Sequence, residues 1–265
     1  MPDAHLYGFS FKEMKTVIEP HKDSKLWGAR SYVNNATYYM EHLFVVGNQK
    51  TELFFRLREG AYYLCKGSAF VLHVSSDGKK ARCRITEGDV FTLPRGIPHG
   101  FYAEQDCSIY FFSGPSELED HNADYSIIEI YPDINQYNES IDLYIHKTTD
   151  YREKYWGSIE TIVSKEYCAK KIVMKPNTQN SLEFHCHKHE TYWIEEGKVM
   201  VGLRVGRAEN RSVILDKGQA FSIPPGLMHM KIAHIRCVIL EISTKDDDSD
   251  SHIVEDGNVY KHLED

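Results

Sequence analysis

Two twelve-residue stretches, GDVFTLPRGIPH (88–99) and GQAFSIPPGLMH (218–229), share Gly, Phe, Pro, Gly and His at identical positions, 130 residues apart. Upstream, Trp27-Gly28 recurs as Trp156-Gly157 at a spacing of 129, and after one insertion Gly67 matches Gly197 at 130. A repeat this long requires two copies of one folding unit, each near the usual domain size, within the 265 residues. The first copy reads as short strands, TYYMEHLFVV, TELFFRLR, AFVLHVS, ARCRI, DVFTLP and CSIYFFS, separated by Gly47-Asn48, Gly67, Asp77-Gly78, Glu87-Gly88 and Gly114-Pro115. The pattern predicts an all-β chain built from two tandem sandwiches or barrels. It divides into an N-terminal arm (1–26), a first domain (27–114), a connection (115–155) and a second domain (156–265). Gly67 and Gly197 suit tight turns, and each P-x-G turn sets the entry of the strand that follows.

Composition excludes several partners. Lys plus Arg number 31 against 39 Asp plus Glu, a net charge of −8, so no basic field attracts nucleic acid or an anionic membrane surface. None of the six cysteines forms a C-x-x-C pair, and most lie in apolar, strand-like runs, which suits reduced, buried thiols. No 18-residue apolar stretch occurs, and MPDAHLYGFSFKEMK has no basic segment followed by an apolar run. A soluble, cytoplasmic protein is expected.

The second copy carries SLEFHCHKHETYWIEEG (181–197), which places His185, His187, His189 and Glu190 within six residues. Alternation along a strand puts His185 and His187 on one face and Phe184 and Cys186 on the other. Two imidazoles and Glu190, joined by His229 after the Pro224-Pro225-Gly226 turn, form a donor set suited to a divalent metal with open positions. The expected ligands are therefore His185, His187, Glu190 and His229, holding one divalent ion per chain, with Zn, Mn, Fe, Ni and Co all compatible. Carrying the 130-residue offset back places Phe55, Leu57 and Gly60 at the first three positions, and only His99 keeps a counterpart. The first domain is thus expected to lack the metal, and His99 to serve structure.

These motifs resemble those of the cupins, and their repetition resembles a bicupin, two jelly-roll β-barrels in one chain. Over 156–256 the second domain also resembles the cupin domain of type II mannose-6-phosphate isomerases, through Trp156-Gly157, KIVMKPNTQNSL, the run from His185 to Glu190 and the P-x-G-x-x-H. ILEISTKDDDSDSHIVED resembles the acidic segment that closes that domain. The chain departs from the isomerases at Glu183, where they have Gln, at Lys188 (Arg) and at Tyr192 (Trp). Ala233 stands where cupins often have Asn.

The resemblance implies a metal-dependent isomerase or epimerase acting on a sugar phosphate or nucleotide sugar, a carbohydrate substrate, through an enediol. In such a reaction the ion acts as a Lewis acid toward the developing enediolate. Glu183, two residues from His185 on the same face, is then a candidate base, His189 a second, and Lys188 either an anion-binding group or an exposed turn lysine. The same ligands suit a metal-dependent oxygenase or decarboxylase carrying iron or manganese, and a non-catalytic sugar-binding bicupin stands as a third class. Long apolar strands such as HLFVVG leave edges that a homodimer would cover.

Overall fold

The central strands Ala61–Lys66, Cys107–Ser113, Glu190–Glu196 and Cys237–Thr244 are buried on both faces, whereas strands with one face open to solvent alternate with period two. In Lys80–Thr86, for example, Ala81, Cys83 and Ile85 are buried while Lys80, Arg82, Arg84 and Thr86 face outward. The computed structural model describes residues 11–260 except 15, 16, 18, 76, 116–124, 131, 141, 142 and 149, and of 259 and 260 only the backbone. The chain divides into two units, His21–Thr148 and a second composed of Met1–Pro20 with Thr149–Asp265. Each is a two-sheet jelly-roll barrel, as the repeat required. Among the described residues no helix is long and apolar enough to cross a membrane.

In the first barrel one sheet runs Ile145–Lys147, Asp89–Thr92, Ala61–Lys66, Cys107–Ser113, Tyr39–Val45, Gly28–Asn34, His21–Lys25. The facing sheet runs Ser126–Glu129, Leu53–Phe55, His99–Ala103, Ser68–Val74, Lys80–Thr86, Asn138–Glu139. Trp27, Phe54, Tyr62, Phe91, Phe101 and Phe111 fill the space between them. The second barrel repeats this plan. Asp150–Lys154, Gly157–Ser164, Tyr167–Met174, Cys237–Thr244, Glu190–Glu196 and Ala220–Ile223 form one sheet. Arg211–Asp216, Lys198–Arg204, Met228–Ala233, Leu182–His185 and Ser251–Glu255 form the backbone of the other.

The arm and the connection expected from sequence are divided between the units. Residues 1–10 lie outside the described residues; Lys12–Glu13 pairs in parallel with Arg211–Asp216 at an edge of the second barrel, whereas His21–Lys25 belongs to the first. Within 115–155, Ser126–Glu129, Asn138–Glu139 and Ile145–Lys147 are strands of the first barrel and Asp150–Lys154 of the second. These strands are two to five residues long and mostly exposed, so they carry little alternation.

The recurrent Trp-Gly has a steric cause. Gly28 and Gly157 hold φ of +144° and +148°, and a side chain there would collide with the carbonyl oxygens of Phe44 and Val173 on the paired strands. The P-x-G turns fix the register that matters for function. The amide of Gly226 donates to the His185 carbonyl at 2.7 Å, and that of Gly96 donates to Arg56 at 2.8 Å. His229 pairs with Glu183 and His99 with Phe54. Along Leu182–His185 and Leu53–Phe55 the repeat offset is therefore 129: His185 corresponds to Arg56, in place of the expected Phe55, and Glu183 to Phe54. Gly60 and Glu190 do correspond, so the second barrel's additional residue falls in the turn between His185 and Glu190.

Candidate metal centre

Leu182–His185 and Met228–Ala233 are antiparallel neighbours, and alternation sends Glu183, His185 and His229 to the same interior. Ligand atoms of these three side chains all lie within 4.8 Å of one another. Glu190 opens a strand of the facing sheet, and its Oε1 lies 2.7 Å from Nε2 of His229.

Both imidazoles are held in one tautomer. Nδ1–H of His185 donates to the Asp250 carbonyl at 3.0 Å, and Nδ1–H of His229 donates to the Leu227 carbonyl at 2.8 Å. A carbonyl only accepts, so each Nδ1 carries the proton and each Nε2 presents a lone pair. Nε2 of His229 is buried 2.7 Å from Glu190 Oε1, and with the ring proton on Nδ1 neither atom has a hydrogen to donate to the other. Leaving such an atom unsatisfied costs about 1–3 kcal/mol. Lone pairs of nitrogen and carboxylate facing one another call for a cation between them. Two imidazoles oriented by outer hydrogen bonds, with carboxylates beside them, fit a divalent metal ion.

Of the residues singled out from sequence, His185, Glu190 and His229 come together, and His187 does not. The strand ends at His185, so alternation no longer governs His187; it is exposed in the following bend, its amide donating to Asp250 Oδ2 at 3.0 Å. Glu183, expected as a base, takes the interior place instead. Its Oε1 accepts from Asn180 Nδ2 at 3.2 Å and its Oε2 from the Ser251 hydroxyl at 3.0 Å.

Lys188 is no exposed turn lysine. It is buried with Nζ 2.7 Å from Glu241, 2.9 Å from Glu190 and 3.3 Å from Asp246, and Lys170 reaches Asp246 at 2.6 Å. Burial opposes the Lys188 charge, but the surrounding carboxylates outweigh it and hold the ammonium well above the usual lysine range. Burial likewise opposes ionisation of Glu190, and the Lys188 ammonium overrides it, holding the carboxyl well below its ordinary value. His189 is half-buried and does not line the cavity. Burial lowers its pKa despite the neighbouring Glu190.

The cavity above these residues measures about 590 Å³ and is lined by Glu183, His185, Glu190, Lys188, Lys231 and Trp156 among others. Lys231 and Asp250 were missed. Lys231 is two residues past His229, a spacing that flags it as inward-facing. Its buried Nζ donates to the Tyr192 hydroxyl at 2.8 Å and lies 4.4 Å over that ring, while Tyr192 donates to Glu190 at 2.6 Å. Among the described residues no carboxylate lies within ion-pair distance of this ammonium. Asp250 holds the turn after His185 through the amides of Cys186, His187 and Lys188, at 2.8, 3.0 and 3.0 Å. Nothing in the sequence distinguishes it from the other acids of KDDDSDS.

In the first barrel the same place is filled by protein. His99 repeats the His229 arrangement, its Nδ1–H donating to Ile97 at 2.8 Å, but its Nε2 meets the Tyr62 hydroxyl at 2.5 Å. Arg56, the counterpart of His185, is buried, with Nε donating to Tyr62 at 2.7 Å and Nη2 bonded to the buried Glu41. Glu41 also accepts from Arg30 Nε at 2.8 Å.

The family model described as Cupin matches residues 58–136 and 166–263. A search of curated protein sequences returns no match. Among solved structures, a tryptophan-to-tyrosine variant of oxalate decarboxylase from Bacillus subtilis superposes with a TM-score of 0.66 at 16% identity, covering 89% of this chain and 78% of that one. A Bacillus subtilis oxalate decarboxylase studied for its Mn(II) centres gives 0.67 at 16%, covering 92% and 80%. A serine-to-alanine variant of the same enzyme gives 0.66 at 15%, covering 90% and 78%. At these identities the likeness is one of fold. The expectation of one divalent ion per chain agrees with the donor set and with a neighbour described by its manganese centres. The sugar-isomerase expectation is corrected: these neighbours are decarboxylases, in line with the oxygenase or decarboxylase alternative, and the resemblance to mannose-6-phosphate isomerases is not reproduced. One matched stretch falls in each barrel and together they span well over half of the residues, so this chain belongs to the cupin family.

Proposed function

We propose that the second barrel is the active site of a metal-dependent decarboxylase or oxygenase acting on a small carboxylic acid. The observation that carries this reading is Lys231, a buried ammonium on the cavity wall with no carboxylate in ion-pair reach among the described residues. A buried cation requires an anion, and a substrate carboxylate entering beside the two Nε2 atoms would supply one. The oxalate decarboxylases that share the fold are enzymes acting on such a small anion, and a small-molecule substrate suits the cavity.

His185, His229 and Glu190 would hold the ion, which when bound supplies Lewis acidity and, if manganese or iron, a one-electron couple. Lys231 orients the substrate and offsets its charge. Tyr192, between Lys231 and Glu190, fixes both heads. Breaking the bond to a carboxyl group releases CO₂ and leaves on carbon an electron pair that must take a proton; Glu183, at the cavity wall, is positioned to deliver it. In this role a proton donor replaces the base expected from sequence.

The test is metal analysis of the purified protein together with CO₂ release and oxygen uptake over small mono-, di- and keto-carboxylates, oxalate among them. Turnover is expected to follow metal content, and Lys231→Met to raise KM by about tenfold or more, since removing one partner of a buried charge pair costs about 2–5 kcal/mol. Fully metal-loaded protein that turns over none of these acids overturns the reading. Glu183→Gln that keeps its metal but loses turnover supports proton delivery. A homodimer also belongs to this proposal, and light scattering at the monomer mass of 30.7 kDa across concentrations would refute it.

A further inference from the structure

The side of the Leu182–His185 strand opposite the cavity carries a second convergence of donors. The Cys186 thiol, a carboxylate oxygen of Asp250 and a ring nitrogen of His252 all lie within 4.8 Å of one another, and none of the three residues lines the cavity. His252 pairs in register with Phe184 and stacks on its ring at 5.0 Å and 27°. The Asp250 carboxylate is fixed by the three turn amides; these occupy three of its roughly four lone-pair positions and leave one free. Nε2 of His252 lies 4.0 Å from Asp250 Oδ1, too far for a hydrogen bond and close enough for both to reach one ion. Cys186 is exposed, whereas Cys65, Cys83, Cys107, Cys168 and Cys237 are buried.

We propose that Cys186, Asp250 and His252 form a second metal site, outside the barrel, for a borderline-soft divalent cation such as Zn²⁺ or Cd²⁺. Thiolate, imidazole and carboxylate are the donors such ions prefer, and the site opens to solvent, where water completes the coordination. Binding forms a metal–sulfur bond and releases the thiol proton to solvent. The two sites share one residue. The Asp250 carbonyl orients His185 at 3.0 Å while its carboxylate serves the outer site, so an ion bound outside stiffens the segment that aims an inner ligand.

The test uses the full-length protein carrying its own metal, with Cd²⁺ as probe. The readouts are reaction of the folded protein with a thiol reagent and the near-ultraviolet thiolate-to-cadmium absorption. One thiol is expected to react readily, and one equivalent of Cd²⁺ to protect it and bring up the band. Cys186→Ser should lose the band, and His252→Ala should weaken Cd²⁺ binding about tenfold or more. Exchange of Cd²⁺ into the barrel gives no band, because Glu183, His185, Glu190 and His229 offer no sulfur. A thiol that stays fully reactive at saturating Cd²⁺, a band that persists in Cys186→Ser, or wild-type Cd²⁺ affinity in His252→Ala each overturns the site.

Discussion

The two barrels answer one electrostatic problem in opposite ways. Both place a histidine after a P-x-G turn, hold its Nδ1–H on a carbonyl and aim its Nε2 inward. In the second barrel that nitrogen meets Glu183, His185 and Glu190, a set of lone pairs needing a cation from solution. In the first it meets Tyr62, and the Arg56 guanidinium, standing where His185 would, supplies the positive charge from within the chain. Glu41, its counter-ion, is buried and held at a pKa of about 2: burial opposes its charge, and Arg56 and Arg30 overcome that. A metal centre of this fold can thus be closed by one arginine whose charge is permanent and whose fork satisfies several acceptors.

The sharpest break between the barrels is in metal content. His229→Ala should empty the centre, while His99→Ala should leave the content of the purified protein unchanged; loss of metal in the second variant would end the distinction. Next is stability. Arg56→Met leaves Glu41 with Arg30 as its one remaining ion-pair partner among the described residues, and removing one member of a buried pair costs about 3–5 kcal/mol. Denaturant unfolding of the first barrel should register that loss, whereas a cost under about 1 kcal/mol would show that Arg56 does not neutralise the site.

A smaller effect comes with acid. Burial drives His99 down to about 3 from its ordinary 6.5, so the unfolded chain takes up a proton there that the folded chain refuses. Stability is then full above pH 6.5 and falls as pH drops toward 3, by about 2–3 kcal/mol between pH 6.5 and 4.5. Glu41, lowered from 4.5 to about 2, adds a loss of the same sign below pH 4.5. His99→Gln should flatten the slope above pH 4.5, and an unchanged slope would remove His99 as its source. The smallest effect sharpens the register. His187→Ala should change neither metal content nor stability beyond about 0.5 kcal/mol, as for other exposed sites. Loss of metal would return His187 to the ligand set.

The sequence announced the two barrels because glycines and prolines at fixed spacing are demanded by steric facts, such as the carbonyls that face Gly28 and Gly157. It also marked His185, Glu190 and His229. It misled at His187 because alternation gives parity without saying where a strand stops; the strand stops at His185, and the residue of equal parity on its other side is Glu183. The additional residue in the turn before Glu190 made a 130-residue offset look exact across strands that keep 129, and so hid Arg56 behind Phe55. Asp250 was beyond reach, since its partners are backbone amides more than sixty residues away and carry no side-chain signature.

The Lys12–Glu13 strand has a consequence in time. It pairs in parallel with Arg211–Asp216, and the ring of Phe11 occupies the space a side chain on Gly202 would need. A ribosome adding about 5–20 residues per second reaches that partner strand on the order of 10–40 s after making Lys12. Through that interval the first barrel can fold while the segment before it waits unpaired. An edge of the second barrel is thus closed by residues made long before the strand they pair with, and a nascent chain halted before residue 211 should leave Lys12 and Glu13 open to protease.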